Sequence, residues 1–263
     1  MVTLTAEQVA YGYGDEADVV DGLDLTIAPG RITALIGPNG SGKSTAVRLL
    51  AGLLRPRRGR VTVDGVDMTG LNARERASHI AVVPQSWLVV PQVTVESFVF
   101  GGRYPHLGFW RRVTTQDRAA VQSALERTGV AEWRGRMLAE LSGGERQRVR
   151  VARAIAQEAP VLLCDEPTGS LDLAHKIELL EQLAELAGAG RTVLLVTHEL
   201  NLASQFGEHL VVLESGRAVA SGNSDEVLRP EVVGPVFGDR IHYARYPRPN
   251  GQGPPLLAPW RGL

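Results

Sequence analysis

A single cysteine, Cys164, stands among 263 residues, so no disulfide can form within the chain. Aromatic residues make up only 5%, so the core must be built mainly from aliphatic side chains. No uninterrupted apolar run approaches the roughly 20 residues that a membrane-spanning helix needs. The opening stretch Met1-Val2-Thr3-Leu4-Thr5-Ala6-Glu7 lacks the basic-then-apolar pattern of a secretory signal. Nor is there a surplus of charge. Lys and Arg total 28 against 29 Asp and Glu, leaving a formal net charge of −1; no whole-molecule field draws the chain to nucleic acid or anionic lipid. His79, His106, His175, His209 and His242 form no group with metal-ligand spacing and read as surface or structural residues. Together these absences predict a cytoplasmic chain that can touch a membrane protein but cannot enter the bilayer by itself.

What is present is an α/β pattern. Leu23–Ile27, Arg60–Asp64 and Ile80–Val83 read as strands, and Ile32–Ile36, Val161–Cys164 and Thr192–Val196 as apolar strands buried on both faces of a parallel sheet. Val47, Leu49, Leu50, Leu53 and Leu54 suggest a helix, as do the stretches 144–157 and 173–186. Leu210–Leu213 and Ala218–Ala220 flank a hairpin turn. From about Trp87 to Glu140 the chain turns longer and more polar, which predicts an inserted helical subdomain; there Ala119, Val121, Ala124 and Leu125 form an apolar stripe on a helix over 115–128. Residues 1–245 form the domain, and the Pro- and Gly-rich tail, 246–263, is expected to be extended or loose.

The first chemical signal is Gly37-Pro38-Asn39-Gly40-Ser41-Gly42-Lys43-Ser44-Thr45, set between a strand and a helix. The glycines let successive N–H groups converge on phosphate oxygens, and the helix N-terminus adds favourable potential for an anion. Lys43 would reach the β- and γ-phosphates of a nucleotide, and the Ser44 hydroxyl would hold Mg²⁺. The second signal is Asp165-Glu166-Pro167 at the end of an apolar strand. Asp165 suits Mg²⁺ and Glu166 suits the base that polarises an attacking water. The third is Ser142-Gly143-Gly144 before a helix, a second anion-accepting terminus. Arg55-Pro56-Arg57-Arg58 reads as a solvated turn before a nucleic-acid patch. Arg146, Arg148, Arg150 and Arg153 read as a solvated or interfacial stripe, and Cys164 as a core residue.

With Leu141-Ser142-Gly143-Gly144-Glu145-Arg146-Gln147 matching its signature motif, the chain resembles the ATP-binding-cassette ATPases over nearly its whole length. The resemblance implies a phosphate-loop NTPase core with a mainly parallel sheet, an N-terminal antiparallel β subdomain and the inserted helical subdomain. It implies ATP and Mg²⁺ as cofactors. It also implies that Gln85 contacts Mg²⁺ and the attacking water, that His198 contacts the γ-phosphate, and that Asp172 in Ser170-Leu171-Asp172 crosses a dimer interface. Tyr13 would stack on adenine, with Tyr11 as a competitor. Two copies would sandwich two ATP molecules, each site completed by Ser142, Gly143 and Gly144 of the other chain. Gly101-Gly102-Arg103-Tyr104-Pro105-His106, the segment from Ser170 to Leu180, and Asn201-Leu202-Ala203 resemble importers of iron–siderophore, haem and cobalamin complexes, whereas Gly169-Ser170, Thr197 and Glu199 depart from that subfamily. Such an importer implies that this chain sits peripherally at the cytoplasmic side of the membrane on transmembrane permease subunits and, indirectly, works with an extracytoplasmic binding protein, with no nucleic acid. The alternatives are a soluble cassette ATPase not coupled to transport, for example in cluster assembly, and an importer of another cargo.

Overall fold

The computed structural model describes residues 1–85, 89–107, 112–248 and 251–260. The chain opens with the antiparallel strands β1 (Leu4–Tyr11) and β2 (Val20–Ile27). The fully buried β3 (Ile32–Ile36) runs through the glycine-rich loop into α1 (Lys43–Leu50). β4 (Arg58–Val63) and the short β5 (Val66–Asp67) return to the first sheet, in the order β2-β1-β4-β5. Between them Asp64 and Gly65 take φ of 47° and 81°, the two left-handed residues a tight hairpin needs. α2 (Ala73–His79) starts at Asn72, whose side chain and that of Glu75 cap each other's backbone, and leads into β6 (Ile80–Val83).

Next come α3 (Val95–Phe100) and α4 (Thr115–Arg127), within the interval expected to be helical; its first residue, Trp87, lies outside the described residues. α5 (Gly143–Ala156) packs against both and enters β7 (Val161–Asp165). α6 (Leu173–Gly188), β8 (Thr192–Val196), α7 (Leu200–Phe206) and the hairpin β9 (His209–Glu214) and β10 (Arg217–Gly222) complete the core. The second sheet runs β10-β9-β3-β8-β7-β6, parallel except for β10. Its register places Leu35 and Asp165 both beside Val196, so β3, β8 and β7 end level with one another. The loops leaving these strands therefore meet at one edge, the crevice where open parallel sheets bind ligands. After α8 (Ser224–Val227) and α9 (Pro230–Phe237), the chain closes with β11 (Ile241–Arg248) and β12 (Gly251–Pro259).

The described part of the tail from Tyr246, expected to be extended or loose, is extended and paired, not loose. β11 and β12 form an antiparallel ribbon docked on α7. The Asn201 amide donates to the Leu257 carbonyl at 2.9 Å and accepts from its N–H at 2.8 Å, and Ser204 Oγ donates to the Pro255 carbonyl at 2.6 Å. A two-stranded ribbon has free edges, so it tolerates the prolines that read as disorder in sequence. Other corrections are smaller. Leu53 lies beyond the end of α1 and is 61% exposed. On α4, Val121, Ala124 and Leu125 are buried as expected, but Ala119 is exposed and Asp117 is buried instead.

Asp117 is buried because Arg103 is. Arg103, 1% exposed, joins the helical layer to the core. Its Nε donates to Asp117 at 2.9 Å, and its Nη1 donates to the Ala156 carbonyl at 2.7 Å and to Glu158 at 2.6 Å. Beside it, a Cβ on Gly102 would stand 2.3 Å from the Arg153 carbonyl, so only glycine fits. Burial pushes the Asp117 carboxyl up, but bonds from Thr114 and the Arg103 guanidinium outweigh it and hold the group down to about 2. A depressed acid contributes stability above its unfolded pKa and loses it as pH falls through the folded one, here between roughly pH 4 and pH 2. Arg103→Met strands Asp117 without its partner, and the expected loss is about 3–5 kcal/mol in urea unfolding at neutral pH. A loss below about 1 kcal/mol, the scale of an exposed pair, would show that the pair does not brace the layers.

Candidate active site

The glycine-rich loop is shaped by close approach. A Cβ on Gly37 would stand 2.2 Å from the Leu213 carbonyl, and one on Gly42, at φ 98°, 2.8 Å from that of Val19. The loop is tied down by Ser41 N–H on the Pro38 carbonyl at 3.3 Å and by Gly216 N–H on the Ser41 carbonyl at 3.0 Å. No side chain caps α1 at Gly42, which leaves that terminus to an external anion. Lys43 is buried and folds back on the loop, its Nζ donating to the Gly37 and Pro38 carbonyls at 2.8 Å each. Burial lowers its pKa, while Glu166 and then Asp165 oppose the shift.

Both acids arrive from β7. Asp165 is 8% exposed, and its Oδ1 has no hydrogen-bond partner among the described residues. Burial raises its pKa; the Ser44 hydroxyl opposes this, and the neighbouring Glu166 adds to it. A buried, unpartnered carboxylate oxygen beside a hydroxyl is a set of hard oxygen donors that fits a cation such as Mg²⁺. Glu166 is held at φ 47° by its N–H on the Val196 carbonyl at 3.0 Å, an uncommon backbone for a non-glycine residue. Its carboxylate accepts from Gln85 Nε2 at 2.7 Å and lies 3.4 Å from His198 Nδ1. Gln85 in turn is anchored by Arg150, whose Nη1 donates to the Pro84 and Gln85 carbonyls at 3.1 and 2.9 Å.

Asn39, Lys43, Ser44, Thr45, Gln85 and Glu166 line a cleft of about 280 Å³. Tyr13 stands beside Thr45, on the first turn of α1. Its hydroxyl is 3.3 Å from Thr45 Oγ1 and accepts from Arg48 Nη1 at 3.3 Å. Tyr11 meets Tyr13 edge-on at 5.1 Å and is less exposed. Arg57 holds the next turn through the Gly14 and Glu16 carbonyls and Asp18, while Arg58 pairs with Asp18 and Asp21. The basic turn is thus engaged with acids of its own chain.

The remaining sites are not in the cleft. Ser142 caps α5, its Oγ accepting from Glu145 N–H while Glu145 accepts from Ser142 N–H at 2.6 Å. A Cβ on Gly144 would stand 3.0 Å from the Ser170 carbonyl. Asp172 caps α6, accepting from the N–H and Nδ1 of His175 at 3.0 and 2.8 Å. Ser142, Gly143 and Asp172 are exposed, forming a second patch. Sequence reasoning missed Val19, which lines the cleft, and the anchoring role of Arg150, whose partners lie 65 and 66 residues away. The arginine stripe on α5 is corrected as well. Arg148 stacks over Trp133 at 4.6 Å, Arg153 over Phe98 at 4.5 Å, and Arg150 is buried, so only a part of the row meets water.

The chain resembles known proteins over most of its length. The ABC transporter family model matches residues 20–169. The iron(3+)-hydroxamate import ATP-binding protein FhuC of Bacillus subtilis (strain 168) is 39% identical over 251 residues, 95% of this chain and 93% of that protein. The ferric enterobactin transport ATP-binding protein FepC of Escherichia coli (strain K12) is 38% identical over 97% of this chain and 93% of its own length. The hemin import ATP-binding protein HmuV of Myxococcus xanthus (strain DK1622) is 41% identical over 90% of each. Among solved structures, an inward-facing metal-chelate type ABC transporter superposes with a TM-score of 0.83 at 27% identity, covering 99% of this chain and 98% of that one. The dimeric bacterial cassette MJ0796 gives 0.75 at 28% identity, over 84% and 98%. With the family model covering residues 20–169 and relatives matching 90% or more of the chain, this chain belongs to the ABC transporter family as an ATP-binding cassette.

Proposed function

We propose that the chain is the ATP-hydrolysing subunit of an importer of metal chelates, of iron–siderophore, haem or cobalamin type. The observation that carries the ATPase reading is the convergence of Lys43, Ser44, Asp165, Glu166 and Gln85 on one cleft while the Ser142 cap lies outside it. Loop N–H groups and Lys43 bind the phosphates, and Tyr13 stacks on adenine. Ser44 and Asp165, with Gln85, would hold Mg²⁺, which neutralises charge on the phosphate oxygens when bound. Glu166 accepts the proton of a water as its oxygen attacks the γ-phosphorus, ADP leaves, and His198 steadies the transferred group. Ser142, Gly143, Gly144 and Asp172 serve the nucleotide of a second copy. Leu173 and Ile177, exposed beside Asp172, supply apolar surface for that contact.

The import reading rests on the names of the relatives and on a groove of about 410 Å³ that includes Ala51, Leu53, Pro84, Phe98, Arg150 and Arg153. It is mixed apolar and basic, opens between core and helical layer, and borders the Pro84-Gln85 segment. A permease helix with an apolar face and an acidic residue fits it, and its docking would be felt at Gln85. Among the described residues no helix is long and apolar enough to cross a membrane; the names of the importer relatives support a membrane-embedded partner with the cassette docked at its cytoplasmic side. A binding protein outside would deliver the cargo. The test is purification of the tagged chain from membranes, with the partner identified by mass and the pair assayed for uptake of a ferric siderophore. Leu53→Glu is expected to weaken recovery of the permease on the order of tenfold and leave basal ATP hydrolysis unchanged. Recovery of a soluble cluster-assembly protein in place of a permease would favour the alternative.

A further inference from the structure

Glu199, the residue after His198, is tied more firmly than the histidine itself. His198 is 53% exposed and meets Glu166 at 3.4 Å, a long contact. Glu199 points back into the protein. Both its carboxylate oxygens accept from Lys176 Nζ at 2.8 Å, and Oε1 also accepts from Thr168 Oγ1 at 3.2 Å. Its N–H donates to Thr197 Oγ1 at 3.0 Å, which closes the backbone turn around His198. The three partners come from three places. Thr168, 2% exposed, follows Glu166 by two residues; Lys176 lies in the first turns of α6, just past Asp172; Thr197 directly follows β8 and precedes His198.

We propose that Lys176 and Glu199 are positioning residues for hydrolysis, forming a clamp that sets His198 against the γ-phosphate and couples its position to the Glu166 loop and to the start of α6. This rests on the assignment of His198 to the γ-phosphate. The fold does not need the clamp. α6 is already seated by Leu179, Leu180, Leu183 and Leu186, and β8 is buried along its whole length. The Lys176–Glu199 pair is partly shielded, with side chains 19% and 28% exposed, so salt screens it less than a surface pair. A charge-assisted, two-oxygen contact one residue from a reacting group can fix that group's position, and misplacement by about 1 Å costs up to ~100-fold in rate. Asp172, one turn before Lys176, lies in the patch assigned to the second copy, so closure of the dimer would reach His198 through this clamp.

The experiment compares steady-state ATP turnover of the full chain carrying Lys176→Met, Lys176→Arg, Glu199→Gln or His198→Ala, and of the His198→Ala/Lys176→Met double variant, with thermal unfolding of each. Lys176→Met and Glu199→Gln are expected to lower kcat about tenfold with KM for ATP within about twofold of wild type, and Lys176→Arg to restore most of the rate. In the His198→Ala background Lys176→Met is expected to change kcat no further, because its effect runs through His198. A merely structural pair would cost the same factor in both backgrounds, and that result overturns the clamp. Unchanged kcat in Lys176→Met and Glu199→Gln, with His198→Ala crippled, overturns the clamp alone. Full turnover in His198→Ala overturns the histidine's role and the clamp with it.

Discussion

Glu166→Gln lowers ATP turnover by about 10²–10⁴-fold and leaves nucleotide binding intact. The reason lies in what each oxygen of Glu166 does. One accepts from Gln85 Nε2, and the other faces His198. A glutamine keeps the shape and can still accept from Gln85, but it cannot take a proton. It also removes one negative charge beside Asp165, the group that burial and Glu166 itself push toward protonation. Less repulsion then faces the γ-phosphate, so bound ATP and the closed dimer persist longer. Phosphate release under saturating ATP, a fluorescent-nucleotide titration and gel filtration with ATP together read the three effects. Undiminished phosphate release would remove Glu166 from the role of base. The φ of 47° at this residue gives a second handle. Its strain is sustained by the N–H bond to Val196, which places the carboxylate in the cleft and not along the strand.

The second large effect is expected at Ser142, which lies outside that cleft. Ser142→Arg abolishes hydrolysis although every cleft residue is untouched. Within its own chain Ser142 only caps α5, and losing such a cap costs about 0.5–2 kcal/mol. That is too little to unfold a domain of this size, so a single-chain site would keep its activity. A shared site would not. The long side chain fills the exposed terminus that another chain's nucleotide must occupy, and its charge faces that chain's Lys43. Ser142→Ala, which loses the cap and nothing else, separates the two contributions. The wild-type chain should show specific activity that rises with protein concentration across the dimerisation range, and Ser142→Arg should be flat at background. Full activity in Ser142→Arg, or concentration-independent wild-type activity, would exclude the second copy from the site.

The cleft is legible in sequence because its parts are local. A phosphate cradle needs glycines at fixed offsets between a strand and a helix, and Gly37–Thr45 supplies them in nine consecutive residues. An acid at the end of a buried strand is equally local, since five apolar or buried residues from Val161 to Asp165 announce both strand and terminus. Strands β3, β6, β7 and β8 are legible for the same reason. The tail is legible as extended chain, but its pairing and docking are not. The Asn201 amide that holds Leu257 is 56 residues away and tells nothing by itself. The arginines of α5 mislead similarly. Helical spacing says they share a helix, not that Phe98 and Trp133 lie beneath them.

By itself, then, the amino-acid sequence determined which chemistry this protein carries, because cradle, acid pair and signature are each short and bound to a single element. Tertiary structure alone decided how those pieces are aimed. The level ends of β3, β8 and β7 bring Lys43, Asp165 and His198 to one sheet edge, Arg150 anchors Gln85 from a helix 65 residues on, and Glu199 binds the histidine turn to α6. Such aiming depends on strand register and on side chains meeting across large separations in the chain, and neither leaves a periodicity or a spacing to be read.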